Sequence, residues 1–250
     1  MKDLSVIIIT KNEEENILDC LENLKLVSEI IIIDDYSTDR TTEVIDNLAW
    51  DNVRVYKNKL DGNFSTQRNF GLSKVKNEWV MFLDADERVS GKMLSEISEK
   101  TKNENYDGFY IRRKDVLWGK KLNHGETGNM KLIRLAKKSA GIWYGNVHEE
   151  WRVKGKIGLL KNELIHYPHQ GIREFLSEIN LYSTIRAKEL KQKSIGVSIF
   201  DIIVYPKAKF FLNYFIKLGF MDGIPGLLIA LMMSFHSFLV RGKLWLSYQK

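Results

Sequence analysis

The feature that most constrains this 250-residue chain is a set of short apolar runs, each stopping at polar or acidic residues. Ser5–Thr10 reads Ser-Val-Ile-Ile-Ile-Thr. Glu29–Ile33 sets four consecutive isoleucines before Asp34-Asp35, and Glu78–Leu83 ends at Asp84-Ala85-Asp86. Uninterrupted β-branched and apolar runs of this length read as strands buried on both faces. Between them the spacing changes to that of helices. One is expected from about Glu13 to Leu26, with Ile17, Leu18, Leu21 and Leu24 on its apolar side. A second carries Val44, Ile45 and Leu48, and a third covers residues 64–76. With a short strand at Val53–Tyr56, residues 1–90 read βαβαβαβ, which argues for an α/β fold with a mostly parallel central sheet covered by helices on both faces.

Such sheets bind ligands at the carboxyl ends of their strands. Acids gather there: Glu13 after the first strand, Asp34 and Asp35 after the second, Asp84 and Asp86 after the fourth. No G-x-G-x-x-G follows the first strand and no G-x-x-x-x-G-K-[ST] occurs, which excludes the usual dinucleotide and Walker-type phosphate loops. Residues 106–165 are more irregular and β-rich, with alternating strands expected at Asp107–Arg113 and Lys131–Leu135. Residues 172–193 return to helical spacing.

Each candidate residue has a functional and a structural reading. Asp84 and Asp86, two apart just past a strand, can face one ion, and all-oxygen ligation suits Mg²⁺ or Mn²⁺; a solvated acidic turn is the alternative. Asp34-Asp35 can accept from a nucleobase or a ribose hydroxyl, or can cap the next helix, a task Ser37, Thr38 or Asp39 also fits. Arg68 in Gln67-Arg68-Asn69 can grip a diphosphate or sit on a helix surface. His148-Glu149-Glu150 follows the aromatic stretch Gly141–Gly145, where a carboxylate can act as general base on a hydroxyl. His166 and His169 are metal-ligand types that are more often structural.

Taken together, "SVIIITKNEEENI", "IIIIDDYSTDRT", "STQRNFGLSKVKNEWVMFLDADE" and "VHE" resemble the family 2 glycosyltransferases of GT-A fold. The resemblance is to a subgroup associated with lipopolysaccharide or lipooligosaccharide core assembly and described as β-1,4-glucosyltransferase-like. It covers residues 1–170, and "GFMDGIPGLLIAL" resembles the subgroup's tail more loosely. It implies an inverting transfer of a hexose, glucose first, from a UDP-sugar to a lipid-linked saccharide. Asp34 and Asp35 would contact base and ribose, with Thr10 and Glu13 lining the same pocket. Asp86 would bind the cation with Asp84 toward ribose or metal, Arg68 would lie near the diphosphate, and His166 would reach metal or diphosphate. Glu149 resembles the general base, but the family often has Glu-Asp where this chain has Glu149-Glu150, so the choice between the two stays open.

Charge is unevenly spread. Of 38 Lys+Arg and 32 Asp+Glu, residues 186–250 hold 10 and 3, leaving 28 and 29 for residues 1–185. The tail is therefore basic, and it is rich in aromatics. An amphipathic helix is expected at Lys207–Phe220. Gly223–Val240 follows as an uncharged stretch that can lie in a membrane interface, pack in a homo-oligomer, form a buried helix or span. A helical, apolar tail is not a nucleic-acid groove, so no nucleic-acid partner is expected. The expected organisation is a nucleotide-sugar half (1–105), an acceptor half (106–190) and a membrane-associating or oligomerising tail (191–250). One cysteine, Cys20, excludes a disulfide framework, and no secretory signal pattern precedes Ser5; both suit a cytoplasmic enzyme held peripherally on the inner face of the membrane. The rival readings are a non-catalytic scaffold of the same fold and a phosphohydrolase of the haloacid dehalogenase type, which uses an aspartate nucleophile.

Overall fold

The computed structural model describes residues 3–128, 130–145, 149–168 and 171–249. The chain divides into two compact units, one of residues 1–113 and 130–166, the other of residues 114–129 and 167–250.

The first unit is built on a sheet. In chain order its elements are β1 (Leu4–Thr10), α1 (Ile17–Leu21), β2 (Glu29–Asp34), α2 (Thr41–Asp46), β3 (Val53–Lys57), α3 (Phe64–Lys74), β4 (Trp79–Asp84), β5 (Glu87–Arg88) and α4 (Gly91–Lys100). There follow β6 (Gly108–Leu117), β7 (Lys120–Lys121), β8 (Lys131–Lys137), β9 (Gly141–Tyr144), β10 (Glu150–Val153) and β11 (Ile157–His166), where β7 and the end of β6 belong to the second unit. Strands β3-β2-β1-β4 are parallel, and β8, β6, β11 and β5 extend the sheet beyond β4, with antiparallel β4–β8, β8–β6 and β11–β5 pairs. Strands β9 and β10 form a separate antiparallel hairpin.

Strand alternation divides the core. Val6, Ile8, Ile30, Ile32, Met81 and Leu83 face α1 and α4 on one side. Ile7, Ile31, Ile33, Val80 and Phe82 face α3 and the β9–β10 hairpin on the other. The sheet is thus buried on both faces, as the unbroken apolar runs require. Helix α3 lies close to β1: a Cβ on Gly71 would stand 2.7 Å from Ile7 Cγ2.

Helix α1 is shorter than the spacing predicts. The N–H groups of Asn12, Glu13 and Glu14 are taken by the side chains of Ser37, Thr41 and Asp39, and the regular helix runs only from Ile17 to Leu21. Beyond Leu21 the chain tightens into three-residue turns, Leu24 N–H to Leu21 O and Val27 N–H to Leu24 O.

The second unit is helical: α5 (Ile172–Gln192), α6 (Ile199–Phe211) and α7 (Gly223–Tyr248), with a π-helical turn at Leu212–Ile216. Helix α6 begins before the expected Lys207. Ser198 and Asp201 form a reciprocal capping box at its start, and Pro206 is accommodated inside it.

Candidate active site

The sheet register brings the strand-end residues into one row. Thr10 pairs with Asp34, and Ile9 pairs with Asp84, so β2, β1 and β4 end side by side. The chain leaves β1 and β2 through left-handed residues, Asn12 (φ 54°) and Tyr36 (φ 53°). A bulky residue such as tyrosine rarely adopts this conformation, and surrounding contacts must hold it there. They do. Asn12 N–H donates to Ser37 Oγ at 2.9 Å, and Thr38 N–H donates to Asn12 Oδ1 at 2.7 Å.

The nucleotide candidates separate in this frame. Asp34 accepts from the Ser37 hydroxyl and from Ser37 N–H at 3.1 Å, so its carboxylate closes its own turn. Asp35 accepts from Lys11 Nζ at 2.7 Å and from Leu60 N–H at 3.0 Å. Burial alone would raise the Asp35 pKa, but the Lys11 and Leu60 hydrogen bonds outweigh it and hold the carboxyl below its ordinary value. Glu13 accepts from Asn16 Nδ2 at 2.8 Å. Thr10 Oγ1 is buried without a hydrogen-bond partner among the described residues.

Asp84 sits between two buried guanidinium groups. Arg68 Nη2 reaches its Oδ1 at 2.9 Å, and Arg134 Nη2 reaches its Oδ2 at 2.5 Å. Burial would raise the Asp84 pKa; the two arginines reverse the sign and hold the carboxyl well below the usual carboxylate range. Behind it lies Glu87, fully buried, which accepts Asp84 N–H at 3.0 Å and stands 3.5 Å from Arg134 and 3.8 Å from Arg113. Burial pushes the Glu87 pKa up despite the opposing field of Arg134.

Asp86 points elsewhere. His166 Nε2 lies 3.0 Å from its Oδ2, while Oδ1 is buried and has no hydrogen-bond partner among the described residues. An orphaned carboxylate oxygen beside an imidazole fits a hard divalent cation. No group of three or more His, Cys, Asp or Glu side chains among the described residues is arranged to hold an ion. Asp86 and His166 are the residues there that could hold such a cation.

Arg68 carries the contact across the site. Its guanidinium lies over the Trp143 ring at 4.6 Å, and its Nε donates to Glu149 Oε1 at 2.8 Å. Trp143 on β9 and Trp151 on β10 stack at 5.6 Å and pack edge-on against Phe82 of β4. This aromatic wedge fixes the hairpin that positions Glu149. Glu150, at the start of β10, is largely exposed and faces Arg152 at 3.3 Å. His148 and His169 lie outside the described residues.

Sequence reasoning missed Arg134, Glu87 and Arg113. The available signal was Arg134 in Lys-Leu-Ile-Arg-Leu: an arginine inside an apolar strand requires a buried anion. Nothing in the local sequence identified which anion.

The acidic carboxyl edge of the sheet is thus tied by the buried Arg68 to Glu149, just before β10. The model for Glycosyl transferase family 2 matches residues 5–156, and the chain belongs to that family. An uncharacterized glycosyltransferase of Rickettsia typhi is 28% identical over 258 residues, covering 98% of this chain and 87% of that protein. The lipopolysaccharide core biosynthesis glycosyltransferase LpsC of Rhizobium meliloti is 27% identical over 251 residues, covering 97% of this chain and 92% of that protein. The solved structure of S. aureus TarS 1–349 in complex with UDP-GlcNAc shares the fold, with TM-score 0.53 at 15% identity, over 100% of this chain and 92% of that one. Family membership sets aside the phosphohydrolase reading, and the relatives support an active transferase rather than a scaffold.

Proposed function

We propose that this transferase moves a hexose, glucose first among candidates, from a UDP-sugar to a lipid-linked saccharide with inversion. The work belongs to assembly of a lipopolysaccharide or lipooligosaccharide core, or of another cell-surface glycan, at the cytoplasmic face of the membrane. The observation that carries the reading is the Arg68 bridge, which joins Asp84 at the donor edge to Glu149 on the other side. The LpsC relationship supports the pathway class, and the UDP-GlcNAc complex of a protein of the same fold supports a UDP-sugar donor.

In this reading Asp35 and Thr10 receive the ribose and base. Asp84 stays with its arginines and orients Arg68, whose Nη1 has no hydrogen-bond partner among the described residues and is the arm left for the diphosphate. Asp86 and His166 would hold Mg²⁺ or Mn²⁺, which when bound neutralises charge developing on the leaving diphosphate. Glu149, oriented by Arg68, takes the acceptor hydroxyl proton as the oxygen attacks the anomeric carbon. Glu150 lies on the solvent side of the hairpin and is the comparison residue.

The test is UDP release from a panel of UDP-hexoses, with and without Mn²⁺ and a lipid-linked core acceptor. Cation-dependent, acceptor-stimulated release is expected. Asp86→Ala and Glu149→Gln should abolish it while circular dichroism stays unchanged. Release from no UDP-hexose would overturn the donor, and full activity in chelator would overturn the cation. An active Glu149→Gln beside an inactive Glu150→Gln would move the base to Glu150.

A further inference from the structure

We propose that the helical second unit carries a membrane-insertion face for an anionic bilayer, and that this face lies in the plane of the interface instead of crossing it. The inference deepens the lipid-linked-acceptor reading and rests on it for its biological sense only; the physical case is independent.

The face is strongly apolar and open. On α6, Ile199 and Phe200 are 75% and 69% exposed. Beyond α6, Ile216 and Ile224 are 63% and 74% exposed, and Phe215 and Met221 are exposed as well. On α7, exposed Ile224, Leu231, Phe238 and Trp245 recur every seven residues. That period drifts only about 20° per repeat on a straight helix, so the four form one stripe. The π-helical turn and the left-handed Leu218 (φ 58°) turn the chain back between the helices. A Cβ on Gly219 would stand 2.6 Å from Asn213 O, so the turn is closed tightly and its large side chains have no interior to enter. So many exposed large apolar side chains on one helical unit are unusual on a soluble monomer and mark an interaction surface.

Charge selects the occupant. Between Ser198 and Ile224 the acids are Asp201 and Asp222. Asp201 is consumed by the capping box. Asp222 is buried, accepting Asn123 N–H and His124 N–H and pairing with the His124 ring. Lys209 is tied to Glu126 at 2.8 Å, but Lys207 is exposed and Lys217 stands 3.9 Å from the same glutamate. Lys207 falls within the stripe of Phe200, Val204 and Phe211 on α6. Lysines among exposed phenylalanines and isoleucines suit anionic headgroups above acyl chains.

Helix α7 is long enough to span, but its other side is occupied. Val240 and Leu244 pack on Ala187 and Leu190 of α5. Lys243 Nζ is held by Asn180 Oδ1, Ser183 Oγ and Thr184 Oγ1 at 2.7, 2.8 and 2.7 Å. Helix α5 carries Arg173, Glu174, Glu178, Arg186, Lys188 and Glu189. Spanning would strip α7 from that helix and release Lys243 from its three oxygen partners on α5. Lying flat keeps the α5–α7 packing and buries only the open stripe.

The experiment is co-sedimentation of the full chain with phosphatidylglycerol–phosphatidylcholine vesicles and with phosphatidylcholine vesicles alone, with light scattering in vesicle-free buffer. The wild type should be monomeric and bind the anionic vesicles preferentially. Phe215→Glu/Ile216→Glu, at exposed positions, should lower the partition at least tenfold while its thermal unfolding stays wild-type. Lys207→Glu should lower it by several-fold. The proposal is overturned if the wild type stays in the supernatant, or if the double variant binds as well. It is also overturned if the wild type is a dimer that the double variant splits, which would assign the face to a second copy. Vesicle-bound protein that resists alkaline carbonate would overturn the in-plane placement. UDP release, read in vesicle-free buffer, tests the donor reading separately.

Discussion

Replacing Arg134 with methionine tests the core of the site directly. Arg134 is buried on β8, and its Nη2 touches Asp84 Oδ2 at 2.5 Å and approaches Glu87 Oε1 at 3.5 Å. Methionine fills similar volume and removes the charge. Breaking a buried pair by deleting one partner costs about 3–5 kcal/mol, because the remaining charge is left uncompensated. Here the lower end applies. Asp84 keeps Arg68, and Glu87 keeps Arg113 at 3.8 Å and can take up a proton, since burial already raises its pKa. A loss of about 3 kcal/mol in a domain of this size corresponds to a fall in Tm of roughly 6–12 °C. Differential scanning calorimetry of Arg134→Met measures it, with Arg152→Met, from an exposed pair with Glu150, as the control expected to leave Tm unchanged. A fall of less than about 2 °C for Arg134→Met would mean that the Asp84–Arg134–Glu87 cluster contributes little, and the argument from buried charge would fail.

Two further outcomes follow from the same structure. Asp84 has a folded pKa depressed below the ordinary 3.8, so the unfolded chain binds more protons than the native one as pH falls. Stability should therefore decline as pH drops through and below about 4, and Asp84→Asn should flatten that decline in urea unfolding series; an equally steep decline in the variant would remove Asp84 as its source. Gly71→Val should destabilise by about 1–3 kcal/mol through overpacking against Ile7 and Ile33, and an unchanged Tm would refute the close α3–β1 approach.

Legibility in the sequence followed the range of the forces. The strands of the parallel sheet were readable because burial on both faces demands unbroken apolar runs, and the acidic edge was readable because the runs of β2 and β4 stop at Asp34 and Asp84. Helix α1 is shorter than its apolar spacing indicates because Leu24 and Val27 keep the helical spacing and the burial while their N–H groups bond three residues back, a difference of backbone turn that the side-chain pattern does not record. Helix α6 starts earlier than periodicity indicated because the Ser198–Asp201 capping box, a local device, sets its first turn.

The sequence by itself determined the elements, the order βαβαβαβ and the row of acids, since these depend on neighbours in the chain and on which side chains must leave water. Only the tertiary structure decided how those acids are used. Asp34 closes a turn, Asp35 takes Lys11, Asp84 is shared by Arg68 and Arg134, and Asp86 faces His166. Each partner but Ser37 comes from a segment 16 or more residues away in the chain. A carboxylate's role is set by the charge within a few ångströms of it, and that distance is a property of the packed fold.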